Sequence, residues 1–317
     1  MAHHFNSGLF FDQKAWHGLG VTLEDDSPLR YDIEGSLETS GLNWTAEEVP
    51  LYIAANGAYE PAGSGHKAIV RSDTKQVIGV VGAKYHPLQN RDQFNWFRPF
   101  LESREAQFET CGALKGGSIV WVLAKINRPD ADIGGSDFVK KYLLLTSSHD
   151  GSKATSVGFC PIRVVCWNTL SAGLANKNST LLKVRHTAKQ HDALATIRET
   201  INLVDQTFEA TAEQFRKMKA CKVNVDDLTK YVKLVLEVDE TKKIHPTTQK
   251  RIDRIVDLCI NGVGNDGKTA WSAYNGVTHY VTHQQGKSAD TRLRANWYGA
   301  GKKLTDRAFT LALALAG

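Results

Sequence analysis

The sequence predicts an α+β protein in which a sheet-rich N-terminal part is followed by a helical C-terminal part. Up to residue 186, short β-branched runs are separated by turn residues, as expected for strands. From residue 187 onward, apolar residues recur at helical spacing instead. Strands followed by helices are typical of the α+β class, whereas a doubly wound sheet alternates the two. We therefore expect a mixed sheet domain over residues 1–186 and a helical region over residues 187–317 that packs on it as one unit.

The first elements follow from turn and capping residues. Residues 31–39 predict a short helix that ends at Gly41, because glycine readily adopts the left-handed conformation that terminates helices. Residues 66–85 predict a hairpin with a polar turn at residues 72–74. A helix over residues 88–103 is expected to begin at Asn90 as N-cap and to be interrupted at Pro99.

The remaining N-terminal elements are strands. Apolar runs at residues 117–126 and 139–146 predict buried strands. The dipeptide Asp150–Gly151 is a strong hairpin signal, and it leads into a further strand over residues 154–166.

Helical spacing predicts a series of helices in the C-terminal part. They cover residues 187–219, 226–238, 246–260, 269–283 and 304–316. Thr187 and Gln190 have the spacing of a capping box at the start of the first helix.

Composition limits the class of protein. Apolar residues make up 42% of the 317 residues and charged residues 23%, which is close to the globular average and excludes wholesale disorder. No apolar run is long enough to cross a bilayer, and the first residues lack a secretory signal. The five cysteines do not form the pattern of a disulfide framework. We expect a cytoplasmic protein with no membrane partner.

Positive charge is concentrated toward the C-terminus. Residues 1–180 hold 17 Lys and Arg against 19 Asp and Glu, a net charge of −2. Residues 181–317 hold 22 against 15, a net charge of +7. Such a balance favours phosphate backbones or anionic surfaces as partners, and the alternative is a solvated basic face.

The glycine-rich segment at residues 262–269 matches the phosphate-binding P-loop pattern. A P-loop requires a strand before the loop, so that backbone amides and a helix N-terminus face the phosphate. The preceding residues have the spacing of an amphipathic helix. A helix–loop–helix connection is therefore expected, and a nucleotide-hydrolysing site that uses Lys268 is the alternative.

Metal sites and hydrolytic catalysis are not expected. His279 and His283 lie four residues apart but have no glutamate beside the first histidine, unlike a zinc-protease pair. Ser148, His149 and Asp150 are sequence neighbours at a turn and cannot orient one another as a catalytic triad. We expect no metal, no cofactor and no enzyme activity.

Three segments are more basic or polar than folding alone requires. In the first, Arg163 interrupts an apolar strand and Asn168 is positioned to cap a helix. In the second, Lys183, Arg185 and His186 lie at a strand end before a helix N-terminus, where the side chains and the helix dipole favour an anion.

The third segment surrounds an aromatic residue with cations. Trp297 lies among basic residues, namely Arg292, Arg294, Lys302 and Lys303. This composition suits single-stranded nucleic acid, whose phosphates pair with cations and whose bases stack on rings. The alternative is a solvated basic loop around one core tryptophan.

Motifs along nearly the whole chain carry a family resemblance. They are WHGLG at residues 16–20, YHPLQN at 85–90, SHDG at 148–151, RVVCWNTL at 163–170, RHT at 185–187 and TAWSAYN at 269–275, with Tyr280 and His283. The sequence resembles the family called domain of unknown function 932, which lacks a P-loop at the glycine-rich position. Its members are encoded on phages, plasmids and integrating elements, often near genes for single-strand-binding, annealing and exonuclease proteins.

The resemblance and the basic segments together indicate a function. We expect a single-stranded DNA-binding protein of a phage or other mobile element, which anneals strands in recombination or replication and assembles as a homo-oligomer in the bacterial cytoplasm. The alternatives are an enzyme acting on nucleotides or phosphate esters through Lys268, Arg185 and His186, and a phage interaction or counter-defence protein.

Overall fold

A computed structural model of the protein describes residues 5–11, 20–55, 57–63, 65–135, 137–163, 182–200, 204–265, 267–286, 295 and 299–317. Strands lie mainly in the N-terminal half of the chain and helices in the C-terminal half. The predicted α+β class is confirmed. No helix in these ranges has both the length and the apolar character that a membrane span requires.

The strands form one large and two small sheets. In chain order they are β1 (Phe5–Phe11), β2 (Val21–Leu23), β3 (Ala46–Pro50), β4 (Tyr52–Ala55), β5 (Ala58–Pro61), β6 (His66–Arg71), β7 (Val77–Gly82), β8 (Ala106–Leu114), β9 (Ile119–Ile126), β10 (Ala131–Gly134), β11 (Asp137–Ser148), β12 (Thr155–Arg163) and β13 (Leu182–Val184). The large sheet has the order β13-β12-β11-β9-β8-β1-β2, and β10 pairs with β11. The small sheets have the orders β3-β6-β7 and β4-β5.

The helices begin within the sheet region and then dominate the chain. They are α1 (Ile33–Thr39), α2 (Asn90–Trp96), α3 (Arg98–Glu102), α4 (Gln190–Thr200), α5 (Val204–Ala220), α6 (Val225–Val235), α7 (Pro246–Asn261), α8 (Ala270–His279) and α9 (Ala300–Ala316). The predicted hairpin is confirmed as β6 and β7, and Gly41 follows α1 with a φ of 68°.

The chain divides into two compact units that interleave along the sequence. Unit 1 comprises Met1–Asn127, Leu143–Gly158 and Leu181–Asn202, and unit 2 comprises Arg128–Tyr142, Phe159–Thr180 and Leu203–Gly317. The expected domain boundary between residues 186 and 187 stays a prediction.

The core of unit 1 includes the apolar face expected for the interrupted helix. Phe94, Phe97 and Leu101 are buried, and the rings of Phe94 and Phe97 contact Phe108 of β8 edge to face. Pro99 lies in the first turn of α3, where a missing N–H is tolerated, so the predicted helix becomes two short ones.

Two capping predictions were wrong for the same physical reason. Gln89, not Asn90, occupies the N-cap position of α2, and Asn90 is buried. Gln190 forms no capping box with Thr187, because its side-chain amide donates instead to the carbonyls of His86 and Pro87, at 3.3 and 3.4 Å. In each case a tertiary partner replaces the local one.

The core of unit 2 includes the apolar helix faces predicted from spacing, together with residues of β10 and β11. Ile252, Ile255 and Cys259 on one face of α7 are buried. Helices α7 and α8 approach closely, since a Cβ built on Gly276 would lie 2.6 Å from the backbone nitrogen of Cys259. Within the expected first helix over residues 187–219, α4 and α5 are helical, and residues 201–203 between them lie outside the described residues.

Candidate nucleic-acid interface

Three chain segments of unit 1 meet in a buried polar cluster. Asn90 begins α2, His149 follows β11 and His186 follows β13. The exposed fractions of these side chains are 1%, 0% and 8%. We call Asn90, His149 and His186, with Trp44 and Tyr85 beside them, the histidine cluster.

The amide of Asn90 defines the protonation of His149. Its Nδ2 donates to the carbonyl of Leu42 at 3.0 Å and to that of Trp44 at 3.3 Å. The amide oxygen therefore faces the imidazole, and Nε2 of His149 lies 3.0 Å from it. Because an amide oxygen only accepts, His149 carries its proton on Nε2 and has a lone pair on Nδ1.

Burial keeps His149 uncharged. Desolvation, with a smaller contribution from the nearby His186, lowers its pKa to about 3. The imidazole contacts the Trp44 indole edge to face, with ring centroids 5.3 Å apart. Neither Nδ1 of His149 nor Nε1 of Trp44 has a hydrogen-bond partner within the described part of the chain.

His186 is held between a ring and a carbonyl. Its ring stacks on Tyr85, with centroids 4.7 Å apart, and Nε2 donates to the carbonyl of Lys153 at 3.1 Å. The Tyr85 hydroxyl donates to the carbonyl of Ser148. Burial lowers the pKa of His186, so the imidazole is neutral near pH 7. The ring therefore braces the segment that carries it.

Cations project from this braced segment. Lys183 and Arg185 are exposed, whereas Val184 and His186 between and after them are buried. This alternation follows from strand geometry, which points successive side chains to opposite faces. Strand β13 is the last strand of the large sheet, and it pairs with β12 through Lys183 opposite Ser156. Lys84, next to Tyr85 in the chain, is also exposed.

The residues predicted to bind nucleic acid fall in both compact units. Lys183, Arg185 and His186 belong to unit 1, whereas Lys302 and Lys303 lie on α9 in unit 2. Lys303 is exposed, but Lys302 pairs with Asp306 at 2.7 Å. Arg163 ends β12, and its side chain lies outside the description. The remaining predicted residues are outside the described ranges, namely Asn168, Arg292, Arg294 and Trp297.

A shallow groove lies beside the histidine cluster, between α2 and α4. Its volume is about 170 Å³, and it is lined by Asp92, Asn95, Trp96, His191, Leu194 and Ala195. Trp96 donates from its indole nitrogen to the carbonyl of Leu194 at 2.8 Å, which joins the two helices. His191 and Asp92 lie 3.8 Å apart at the rim.

The glycine-rich loop does not have the surroundings of a P-loop. Helix α7 precedes it, and Thr269 caps α8 through a capping box with Ser272. Asn265 donates to the carbonyl of Leu258 at 2.9 Å and ties the loop back to α7. The expected helix–loop–helix connection is confirmed.

The histidine cluster does not have the arrangement of a serine nucleophile paired with a histidine, nor that of a metal site, among the described residues. Ser147 bonds Thr155 at 3.1 Å and Ser148 donates to the carbonyl of Lys153 at 2.8 Å, so His149 faces an amide rather than a hydroxyl. Among the described residues, no three His, Cys, Asp or Glu side chains are grouped as metal ligands. Sequence reasoning treated His149 as a turn residue and missed its burial. His149 and its neighbours Asn90 and His186 come from three of the quoted motifs, which is the signal that links them.

The fold and the cluster define a class: an α+β protein with a braced basic strand at a sheet edge and no grouped metal ligands among its described residues. The chain belongs to the family described as "Domain of unknown function (DUF932)", whose model matches residues 77–297. This match confirms the resemblance drawn from the motifs. No match to the chain was found among curated proteins or among solved structures.

Proposed function

We propose that the protein binds single-stranded DNA, as a component of a phage or other mobile element that acts in recombination or replication. The observation that carries the proposal is the exposure of Lys183 on the edge strand β13 and of Arg185 directly after it, with Val184 between them buried. Basic side chains along an exposed strand suit a flexible phosphate backbone.

The histidine cluster supports this proposal by holding the basic strand in place. His186 stacks on Tyr85 and bonds Lys153, so Arg185 is attached to a segment with little freedom to move. A cation that is already ordered loses less conformational entropy when it pairs with a phosphate. Neutral His149 and His186 contribute no charge themselves near pH 7, so attraction to phosphate comes from the lysines and arginines.

The proposed mechanism is electrostatic capture without covalent chemistry. Each neutralised phosphate releases counterions, which makes the affinity fall as salt rises. The net charge of +7 over residues 181–317 has the sign that this mechanism needs. Strand annealing, homo-oligomer assembly and action in the bacterial cytoplasm are parts of the proposal, and sedimentation with and without DNA tests the assembly.

The test is binding of a labelled 30-nucleotide oligothymidine and of a duplex of the same length, across a salt series. We expect tighter binding to the single strand and a log–log salt slope of about −0.7 per phosphate contact. The double variant K183Q/R185Q should bind more weakly, with a slope smaller in magnitude by about 1.4.

A charge-matched control uses lysines elsewhere on the surface. Lys230 and Lys242 are 71% and 80% exposed, and the double variant K230Q/K242Q removes the same two charges. We expect its slope to equal that of the native protein. No binding at low salt, or equal losses in the two double variants, would overturn the proposal.

A further inference from the structure

Cationic side chains gather around a π turn in unit 2. Residues Tyr280–Gln284 form this turn after α8, and the amide of Gln285 donates to the carbonyl of Tyr280 at 2.9 Å. Single π turns in helices are frequently found at functional sites. From α7, Arg254 donates through Nε to the side-chain oxygen of Gln284 at 2.9 Å, and the guanidinium of Arg251 lies 5.2 Å from the centroid of the Tyr280 ring.

Buried polar atoms without partners concentrate at this turn. Nε and Nη2 of Arg251 are buried, and neither has a hydrogen bond within the described part of the chain. The same holds for Nδ1 of His279 and for the side-chain oxygen of Gln285. Since nearly all buried polar atoms in proteins are paired, a group of unpaired ones needs an explanation. The two guanidinium nitrogens without acceptors are the costliest of these, because the group carries charge.

The acidic side chains on this part of α7 already have partners. Arg254 is already paired with Asp257, at 2.8 Å, and Asp253 accepts from Gln249 at 2.7 Å. The rings of His279 and His283 lie 4.6 Å apart. Burial, with smaller contributions from His283 and Arg254, lowers the pKa of His279 to about 4, so this imidazole is neutral near pH 7. The π face of the Tyr280 ring attracts the positive charge of Arg251, but it replaces the missing hydrogen bonds only in part.

We propose that Arg251 and Arg254, with His279 and Tyr280 beside them, form a binding site for a phosphate monoester. The phosphate belongs either to a free nucleotide or to the end of a nucleic-acid strand. A phosphate monoester carries nearly two negative charges, which matches two guanidinium groups better than a singly charged carboxylate does. The planar guanidinium offers two parallel N–H donors to such a group.

Occupation of the site requires a small rearrangement. Nε and Nη2 of Arg251 have essentially no exposed surface, so the guanidinium rotates off the Tyr280 ring to meet the phosphate. Arg254 is half exposed and stands at the rim, where it can contact the phosphate without moving far. This site is argued from unit 2 alone and does not depend on the DNA-binding function proposed above.

The test uses two probes that carry a phosphate monoester and one that lacks it. They are thymidine 5′-monophosphate, a decathymidine with a 5′-phosphate and the same decathymidine with a 5′-hydroxyl. Calorimetry should detect binding of the monophosphate if a free nucleotide is the ligand. If a strand end is the ligand, the phosphorylated decathymidine should bind about tenfold or more tightly than the unphosphorylated one.

Matched variants assign the effect to Arg251. The variant R251Q should lose the preference for phosphorylated probes, with affinity about 10- to 100-fold lower, as expected for a lost charged hydrogen bond. K250Q removes one charge from the neighbouring exposed residue and should keep the preference. R251K keeps the positive charge but lacks the planar guanidinium. It should therefore retain only part of the preference for phosphorylated probes. If R251Q fails to fold, R254Q at the exposed rim provides the same comparison.

The outcomes separate this site from general DNA binding. Equal affinity for the two decathymidines together with no binding of the monophosphate would overturn the phosphate site, whether or not DNA binds. Equal losses in R251Q and K250Q would also overturn it. A phosphate preference in a protein that does not bind the unphosphorylated strand would uphold this site and count against the proposed function.

Discussion

Nε2 of His149 donates to the side-chain oxygen of Asn90 at 3.0 Å across 59 residues of sequence, and both residues are buried. The same amide donates to two backbone carbonyls through its nitrogen. Asn90 thus joins α2 to the segment between α1 and β3 and to the end of β11.

Removing the amide should destabilise the protein. N90A leaves the His149 N–H and the carbonyl of Trp44 without this partner in a buried region, whereas the carbonyl of Leu42 keeps the backbone N–H of Trp44. Each buried group that loses its hydrogen bond costs about 1–3 kcal/mol. Urea unfolding should show this loss, whereas N43A, at an exposed position, should change the free energy of unfolding by less than about 0.5 kcal/mol. Equal midpoints for the two variants would contradict the prediction.

Acid should weaken the fold through His149. Its pKa is about 3 in the folded protein and near 6.5 in the unfolded chain, so between these values the unfolded state binds more protons. Stability therefore falls as the pH drops from about 6.5 toward 3, by up to about 1.4 kcal/mol per pH unit for one such group. The variant H149Q does not titrate there, and its unfolding free energy should depend less steeply on pH. An unchanged slope in H149Q would assign the acid sensitivity to other groups.

The effects of replacing Arg30 and Glu109, a buried ion pair in unit 1, on the free energy of unfolding should be strongly non-additive. Arg30 and Glu109 are each 3% exposed and lie 3.0 Å apart, and Arg30 also donates to the carbonyl of Phe108. R30M removes the guanidinium that lies 3.0 Å from the buried Glu109 carboxylate and should cost about 3–5 kcal/mol. The double variant R30M/E109L should recover much of that loss, because it removes both charges. A double-mutant cycle in urea measures the coupling, and additive single losses would rule it out.

The contact between α7 and α8 in unit 2 should not tolerate a methyl group at Gly276. A Cβ there would lie 2.5 Å from the sulfur of Cys259 and 2.7 Å from its Cα. Alanine would otherwise stabilise the helix by up to about 1 kcal/mol, but overpacking costs about 1–3 kcal/mol, so G276A should melt at a lower temperature. G82A is the control, since a Cβ at Gly82 meets no described atom within 4 Å. A rise in melting temperature for G276A would show that α7 and α8 can separate freely.

The site illustrates which features local patterns cannot predict. Asn90 has the chemistry of an N-cap, and Gln190 has the spacing of a capping box, yet each side chain bonds a distant carbonyl. His149 lies beside a turn dipeptide, and the local sequence therefore predicts an exposed residue. In the structure it is buried and contacts Asn90 and Trp44. These partners lie tens of residues away, so no window of sequence contains them.

By itself, the sequence determined the α+β class, the β6–β7 hairpin, the break at Pro99 and the apolar face of α7. Each of these depends on interactions within a few residues, through turn chemistry, the missing N–H of proline or side-chain period. Only the tertiary structure decided that His149 is buried and neutral, and that Lys183 and Arg185 face outward from a braced edge strand. Burial and pairing depend on which distant segments meet, and that meeting is settled when the whole chain packs.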